Sequence, residues 1–200
     1  TLAIECLPAE FCDILPKTPG LSDNVFKNDG TMTKREVRAV TLSKLKPTNG
    51  AVLWDIGCGC GSVSIEWMRS ASNAVAIGVD KRADRCELSS INAINLGVPD
   101  FKVINGQAPE ALHNLDKPDA IFIGGGLSKE IFEFSWSQLT TNGRLVVNVV
   151  TLKSQALLLE LYSQYGGDIS QLEIKRVEQI GDSTIWKPLT PVTQWSIEKK

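Results

Sequence analysis

"WDIGCGCGS" spans residues 54–62 and directly follows the apolar residues "AVL" at 51–53. Glycines and cysteines alternate through it, as Gly57, Cys58, Gly59, Cys60 and Gly61. Such glycines mark a backbone that comes close to a ligand, because no Cβ stands in the way. The cysteines instead point to a metal or a redox pair. The two readings imply different proteins, and the surrounding sequence separates them.

Cys58 and Cys60 form C-x-C, not the C-x-x-C of zinc knuckles and thioredoxin-like sites. The chain's one histidine, His113, is far off in sequence, and its polar neighbours predict a surface position. Five cysteines (Cys6, Cys12, Cys58, Cys60 and Cys86) are an odd number at scattered spacings, a poor disulfide framework. Reduced thiols acting as small packing groups in a cytoplasmic protein are expected, with no metal site.

Working outward, apolar runs occur at 51–57, 73–80, 101–106, 119–126 and 143–150. Helical stretches are expected between them, at about 62–71, 83–96, 109–114, 128–139 and 151–165. Short apolar strands alternating with helices predict parallel βαβ units whose sheet is covered on both faces. The pattern changes at "LEIKRVEQI" (172–180) and "PVTQWSIEK" (191–199), which alternate residue by residue as an antiparallel hairpin at a sheet edge would. Upstream, "TKREVRAVTLSKL" (33–45) has helical spacing, and Thr33 with Glu36 reads as a capping box that starts the helix at Thr33. Residues 1–19, ending in "LPKTPG", read as a tail or linker, and 20–200 as one domain.

The glycine turn therefore leaves the first strand of an open parallel sheet, where ligands bind. A dinucleotide fingerprint needs G-x-G-x-x-G or G-x-G-x-x-A, and Ser62 occupies the third small position here. The spacing G-x-G-x-G, with Asp55 two residues before it, fits a pyrophosphate less well. It resembles the first motif of the class I methyltransferases that use S-adenosylmethionine, a cofactor without phosphate. Two further features fall at successive strand ends: Asp80 closes "GVD", and "GQAPEAL" occupies 106–112. The resemblance implies that 57–61 wrap the methionine part, that Asp80 binds the ribose hydroxyls, and that Gln107 and Ala108 pass the adenine. Taken singly, Asp80 is also a plausible helix N-cap and Gly106 plain turn chemistry.

Composition narrows the partners. The 200 residues are 42% hydrophobic and 22% charged, with Lys plus Arg at 21 against Asp plus Glu at 23. That balance argues against a nucleic-acid face. No run approaches the 18 or so apolar residues of a membrane span, and no basic segment precedes the apolar N-terminus as in a signal peptide. The chain begins at Thr1, which is expected of a trimmed chain or a piece of a longer one.

"GLSDNVFKNDGTMTKREVRAVTLSKLKP", "LWDIGCGCGSVSIEW", "GQAPEAL", "DAIFIGGG", "GRLVVNVVTLKS" and "PVTQW" carry a more specific resemblance. From about Gly20 to Lys199 the chain is similar to the C-terminal part of the precorrin-6Y C(5,15)-methyltransferases (decarboxylating) of cobalamin biosynthesis. It is similar also to the stand-alone cobalt-precorrin C(15)-methyltransferases. The resemblance implies a class I α/β fold: a mostly parallel seven-stranded sheet, helices on both faces and an antiparallel C-terminal hairpin. It implies methylation of carbon 15 of a precorrin tetrapyrrole, with loss of the ring C acetate carboxylate as carbon dioxide. Residues 2–8 look like the last strand of a preceding tetrapyrrole methylase domain, and relatives imply a tetramer.

On this resemblance the cofactor side comprises Thr33, Asp55, Gly57, Cys58, Gly59, Cys60, Gly61, Asp80, Gln107 and Ala108. The substrate side comprises Lys34, Arg35, Gly124, Gly125, Gly126, Asn148 and Lys153, with Lys129 nearby. Many methyltransferases carry a proline and an aromatic after the fourth strand; the bare "GGG" here leaves room for a wide, flat substrate. The lysines and arginines suit a substrate with many carboxylates, although each alone reads equally as solvated surface. The 31–35 segment is expected to close over the cofactor, Lys34 and Arg35 standing in a first helical turn against the dipole's preference. Three other readings stay open at this point: a tRNA or protein methyltransferase, a non-catalytic nucleotide-binding module, and an NAD-dependent oxidoreductase.

Overall fold

A computed structural model of the chain describes residues 2–5, 7 and 14–200. The expected strand at 2–8 lies partly outside these residues, as do Cys6 and Cys12. Five strands alternate with helices: β1 (Val52–Ile56), β2 (Val75–Asp80), β3 (Lys102–Asn105), β4 (Ala120–Ile123) and β5 (Arg144–Val149). The helices are α1 (Arg35–Leu45), α2 (Ser62–Ser70), α3 (Ala83–Asn95), α4 (Lys129–Gln138) and α5 (Leu152–Tyr165). Then follow β6 (Asp168–Leu172), β7 (Lys175–Ile180), β8 (Ser183–Pro188) and β9 (Val192–Glu198).

Seven strands form one sheet in the order β3-β2-β1-β4-β5-β9-β6, parallel except for β9, which is antiparallel to both neighbours. The strands are apolar because both faces are covered. Leu53, Ala76, Ala120, Phe122 and Val146 face α1, α2 and α3, packing with Leu42, Leu45, Ile65 and Trp67. Their neighbours in the pleat, Trp54, Ile77, Ile121, Leu145 and Val147, face α4 and α5 through Phe132, Leu158 and Leu161. The side-chain period of two thus sorts one apolar run into two cores.

The expected class of sheet is present, with corrections in its details. The segment 109–114 is not a helix of any length: a single 3-10 turn covers Glu110–Leu112, and Asn114 leaves it with φ +62°. The antiparallel hairpin of the C-terminus pairs β9 with 168–172 rather than with 172–180. β7 instead pairs with β8, a strand the alternation did not single out, to make a separate two-stranded ribbon. Ile180 faces Ser183 across a loop of Gly181 and Asp182, Gly181 having φ +56°. That two-residue loop closes the ribbon at a somewhat lower entropic cost than the longer loop that pairing with 191–199 would need.

The capping box is also absent. α1 starts at Arg35, Lys34 is its extended N-cap, and no side chain caps it. Thr33 contributes its carbonyl, which accepts from Arg38 Nη1 at 2.6 Å, while Glu36 accepts from Arg176 at 2.6 Å. Both members of the expected box thus have stronger, cationic partners.

Candidate active site

Where β1 ends, Gly57, Gly59 and Gly61 take φ of +75°, +58° and +78°, a region that residues with a Cβ rarely occupy. The glycines face different surroundings. A Cβ on Gly61 would lie 2.8 Å from Phe101 Cε1, and one on Gly57 3.1–3.3 Å from the Gly125 backbone. One on Gly59 would meet nothing within 4 Å. Gly61 therefore packs the turn down onto the fold, whereas Gly59 borders open space. α3 fixes the turn from below: Ser89 Oγ donates to the Gly59 carbonyl at 2.8 Å, and Asn92 Nδ2 to that of Cys60 at 2.9 Å.

The two strand-end acids differ in role. Asp80 accepts from Gly59 N at 3.0 Å through Oδ2 and from Arg82 N at 3.0 Å through Oδ1, so it ties the glycine turn to the end of β2. Each oxygen keeps a lone pair, and the side chain lines the cavity. Asp55 does not line it. Its Oδ2 accepts from Ser64 Oγ at 2.7 Å, while Oδ1, fully buried, has no partner among the described residues. Burial pushes its carboxyl up to about 7, the Ser64 hydrogen bonds working against that and the charge of Asp80 with it. Cys58, Cys60 and Cys86 are buried free thiols, and burial above all raises each of them, so they stay protonated and inert.

A cavity of about 960 Å³ opens above these strand ends. It gathers Thr33, Lys34, Gly57, Cys58, Gly59, Cys60, Asp80, Gln107, Ala108, Asn148 and all three of Gly124, Gly125 and Gly126. Gly61, Arg35, Lys129 and Lys153 lie off its lining, as Asp55 does; Lys129 sits 4.0 Å from Glu133 on its own helix. His113 is exposed, its ring edge against Phe134. Among the described residues no group of three or more His, Cys, Asp or Glu is placed to hold a metal, and no helix is long and apolar enough to cross a membrane.

Several lining residues were not foreseen. Arg82 and Arg85 stand at the rim with Asp29, whose carboxyl is held low chiefly by the Arg85 hydrogen bond. The run of basic residues after Asp80 was their only trace in the sequence. Ile174, Leu189 and Val192 add an apolar wall from the root of the ribbon. Nothing local marks them, because they reach the cavity only through the β7–β8 excursion.

The wall carrying Thr33 and Lys34 belongs to the segment 20–34, which is bolted to the core by ion pairs. Glu66 accepts from Gly20 N and Leu21 N at 2.7 and 2.9 Å, and Arg38 donates to Glu66, Asp23 and the Thr33 and Leu21 carbonyls. Arg176 of β7 adds Asp23 and Glu36.

The strand order, the reversed β9 and the glycine turn with Asp80 at the next strand end define the fold of the class I S-adenosylmethionine-dependent methyltransferases. A family model for the precorrin methyltransferase domain matches residues 24–199, and the chain belongs to that family. It is 46% identical over 198 residues to a precorrin-6Y C(5,15)-methyltransferase (decarboxylating) from Sinorhizobium sp, covering 98% of this chain and 48% of the relative. The chain thus spans about half the length of that protein. A probable cobalt-precorrin-6B C(15)-methyltransferase (decarboxylating) from Pyrobaculum calidifontis is 39% identical over 184 residues, 88% of this chain and 93% of the relative. Among solved structures, the C-terminal domain of precorrin-6Y C5,15-methyltransferase from Rhodobacter capsulatus superimposes with a TM-score of 0.87 at 39% identity, covering 92% of this chain and all of that one.

Proposed function

We propose that this domain methylates carbon 15 of a precorrin tetrapyrrole and releases the ring C acetate carboxylate as carbon dioxide, using S-adenosylmethionine. One observation carries the reading: a single cavity joins the glycine turn and Asp80 to a wall of three glycines and an apolar ribbon root. The first half suits a nucleoside with an amino-acid tail, the second a broad, flat ring system.

The residues present fit the cofactor. Asp80 retains acceptor capacity for ribose hydroxyls, and Gly59 leaves open space beside it. S-adenosylmethionine supplies an electrophilic methyl group. The meso carbon supplies the electron pair, so the protein's part is to position and dry the site rather than to provide a strong base. On decarboxylation the acetate C–C bond breaks, its electron pair enters the conjugated ring, carbon dioxide leaves, and a proton is taken up on carbon. Lys34 offers a cation for carboxylates that remain on the substrate.

The proposed partner of this domain is a tetrapyrrole methylase domain acting at carbon 5, supported by the extra length of the Sinorhizobium relative. The proposed assembly is a homo-oligomer, supported by apolar side chains left exposed on the ribbon, Trp186 at 68% and Val177 at 59%. Analytical ultracentrifugation of wild type and Trp186→Ser tests the assembly.

The reaction is tested by incubating the protein with precorrin and S-adenosylmethionine and weighing the product. Gain of one methyl with loss of carbon dioxide is expected; unchanged tetrapyrrole removes the assignment. Asp80→Ala should weaken S-adenosylhomocysteine by roughly 2–4 kcal/mol, the scale of two hydrogen bonds to a charged acceptor. Unchanged affinity takes Asp80 out of the site.

A further inference from the structure

Asn148, on β5, lines the cavity, and two residues that do not reach the cavity hold it from behind. Thr41 of α1 and Gln194 of β9 are both buried. The Thr41 hydroxyl gives its one proton to the Val37 carbonyl at 2.8 Å, so toward other neighbours it can only accept. Two amide nitrogens point at it, Asn148 Nδ2 at 3.0 Å and Gln194 Nε2 at 3.0 Å. Gln194 Nε2 sends its second N–H to Asn148 Oδ1 at 2.9 Å.

These bonds permit one orientation of the Asn148 amide. Turned over, Oδ1 would face the lone pairs of Thr41, and Nδ2 would face Gln194 Nε2, donor against donor. The arrangement is kept even though it leaves Gln194 Oε1 buried with no partner among the described residues. An unsatisfied buried acceptor is unfavourable and calls for a reason. The reason on view is that reversing Gln194 would set its oxygen against both Thr41 Oγ1 and Asn148 Oδ1. Asn148 is left with one N–H that no described group accepts, on a side chain that borders the cavity.

We propose that Thr41 and Gln194 are positioning residues that lock Asn148 so that its free N–H meets a carboxylate of the substrate, the one that departs. This rests on the tetrapyrrole reading above. A carboxylate leaving as carbon dioxide gives up its negative charge as it goes. A lysine beside it would stabilise the charged ground state more than the transition state and so slow the step. A neutral amide orients the group at a smaller penalty than a full cation would, whereas Lys34 suits carboxylates that stay.

Steady-state kinetics on the tetrapyrrole, run beside S-adenosylhomocysteine titrations, test this. Thr41→Val and Gln194→Leu should each lower kcat/KM by about tenfold or more, the scale of one hydrogen bond to a charged group. Cofactor affinity should stay within about twofold, and Thr41→Ser should restore turnover. Asn148→Lys should slow release of carbon dioxide more than methyl transfer. Wild-type kinetics in Thr41→Val, or a loss of S-adenosylhomocysteine affinity in proportion to turnover, overturns the positioning role. A wild-type protein that neither binds nor converts the tetrapyrrole overturns the parent reading instead, and this inference with it.

Discussion

Arg38 and Glu66 pair inside the core, Nε to Oε1 at 2.6 Å, with side chains 0% and 2% exposed. The guanidinium also lies over the Phe26 ring, 4.7 Å from its centroid. Glu66→Ala leaves Arg38 with only the more exposed Asp23 as its anion and strands the Gly20 and Leu21 N–H groups, and breaking a buried pair in this way typically destabilises by about 3–5 kcal/mol. Arg38→Met with Glu66→Leu should recover part of that, because the buried charges go together while the Gly20 and Leu21 N–H groups and the Thr33 and Leu21 carbonyls still lose their partners. Denaturant unfolding of both variants checks it; a single variant no less stable than the double would refute the assignment.

Asp55 makes stability depend on pH. An unfolded aspartate titrates near 4, whereas in the fold this carboxyl keeps its proton up to about 7. The folded state therefore binds the extra proton, and the stabilising contribution is full below about pH 4. It is lost as pH rises toward 7, at about 1.4 kcal/mol per pH unit from this group alone. Asp55→Asn should flatten that slope between pH 4 and 7 in ligand-free protein. An unchanged slope would place the carboxyl outside the buried, neutral state.

Gly59→Ala and Gly61→Ala should part company. Both take on left-handed strain of roughly 1–2 kcal/mol, but only at Gly61 does the new methyl meet Phe101 and Ser89. Gly61→Ala should therefore lose the more stability. Gly59→Ala should lose little beyond the strain and yet bind S-adenosylhomocysteine poorly, its methyl standing in the cavity. Thermal melts and calorimetry on the two proteins separate these effects, and equal behaviour would argue against the division.

Lys34 and Arg35, neighbours in sequence, are separated by the geometry. Lys34 borders the cavity and Arg35 does not. Lys34→Ala should reduce turnover of the tetrapyrrole about tenfold, near 1.4 kcal/mol in transition-state terms, with Arg35→Ala close to wild type. Equal losses would show that the pair acts through the helix end rather than through a contact with substrate.

The βαβ frame was legible because strands buried on both faces must be apolar and short. The glycine turn was legible because its conformations exclude side chains. What escaped the sequence depends on distant partners. Thr33 and Glu36 carry a capping signature, yet Glu36 is claimed by Arg176, 140 residues on. Asp55 and Asp80 close adjacent strands and look alike in one dimension. The pleat turns Asp55 toward Ser64 of α2, and Asp80 reaches the turn and the cavity. Gln194 and Thr41 read as ordinary polar positions on a strand and a helix, and only the fold joins them to Asn148.

The β7–β8 ribbon leaves the main sheet after β6 and returns before β9, two strands that are already paired with each other from Leu172↔Val192 onward. An excursion rooted at such a junction can lengthen, shorten or be exchanged without shifting any register that holds the strands bearing the glycine turn and Asp80. Ile174 and Leu189, at its two feet, are where such a change would be felt, so one wall of the cavity can be rebuilt in this architecture while the glycine turn and Asp80 keep their places.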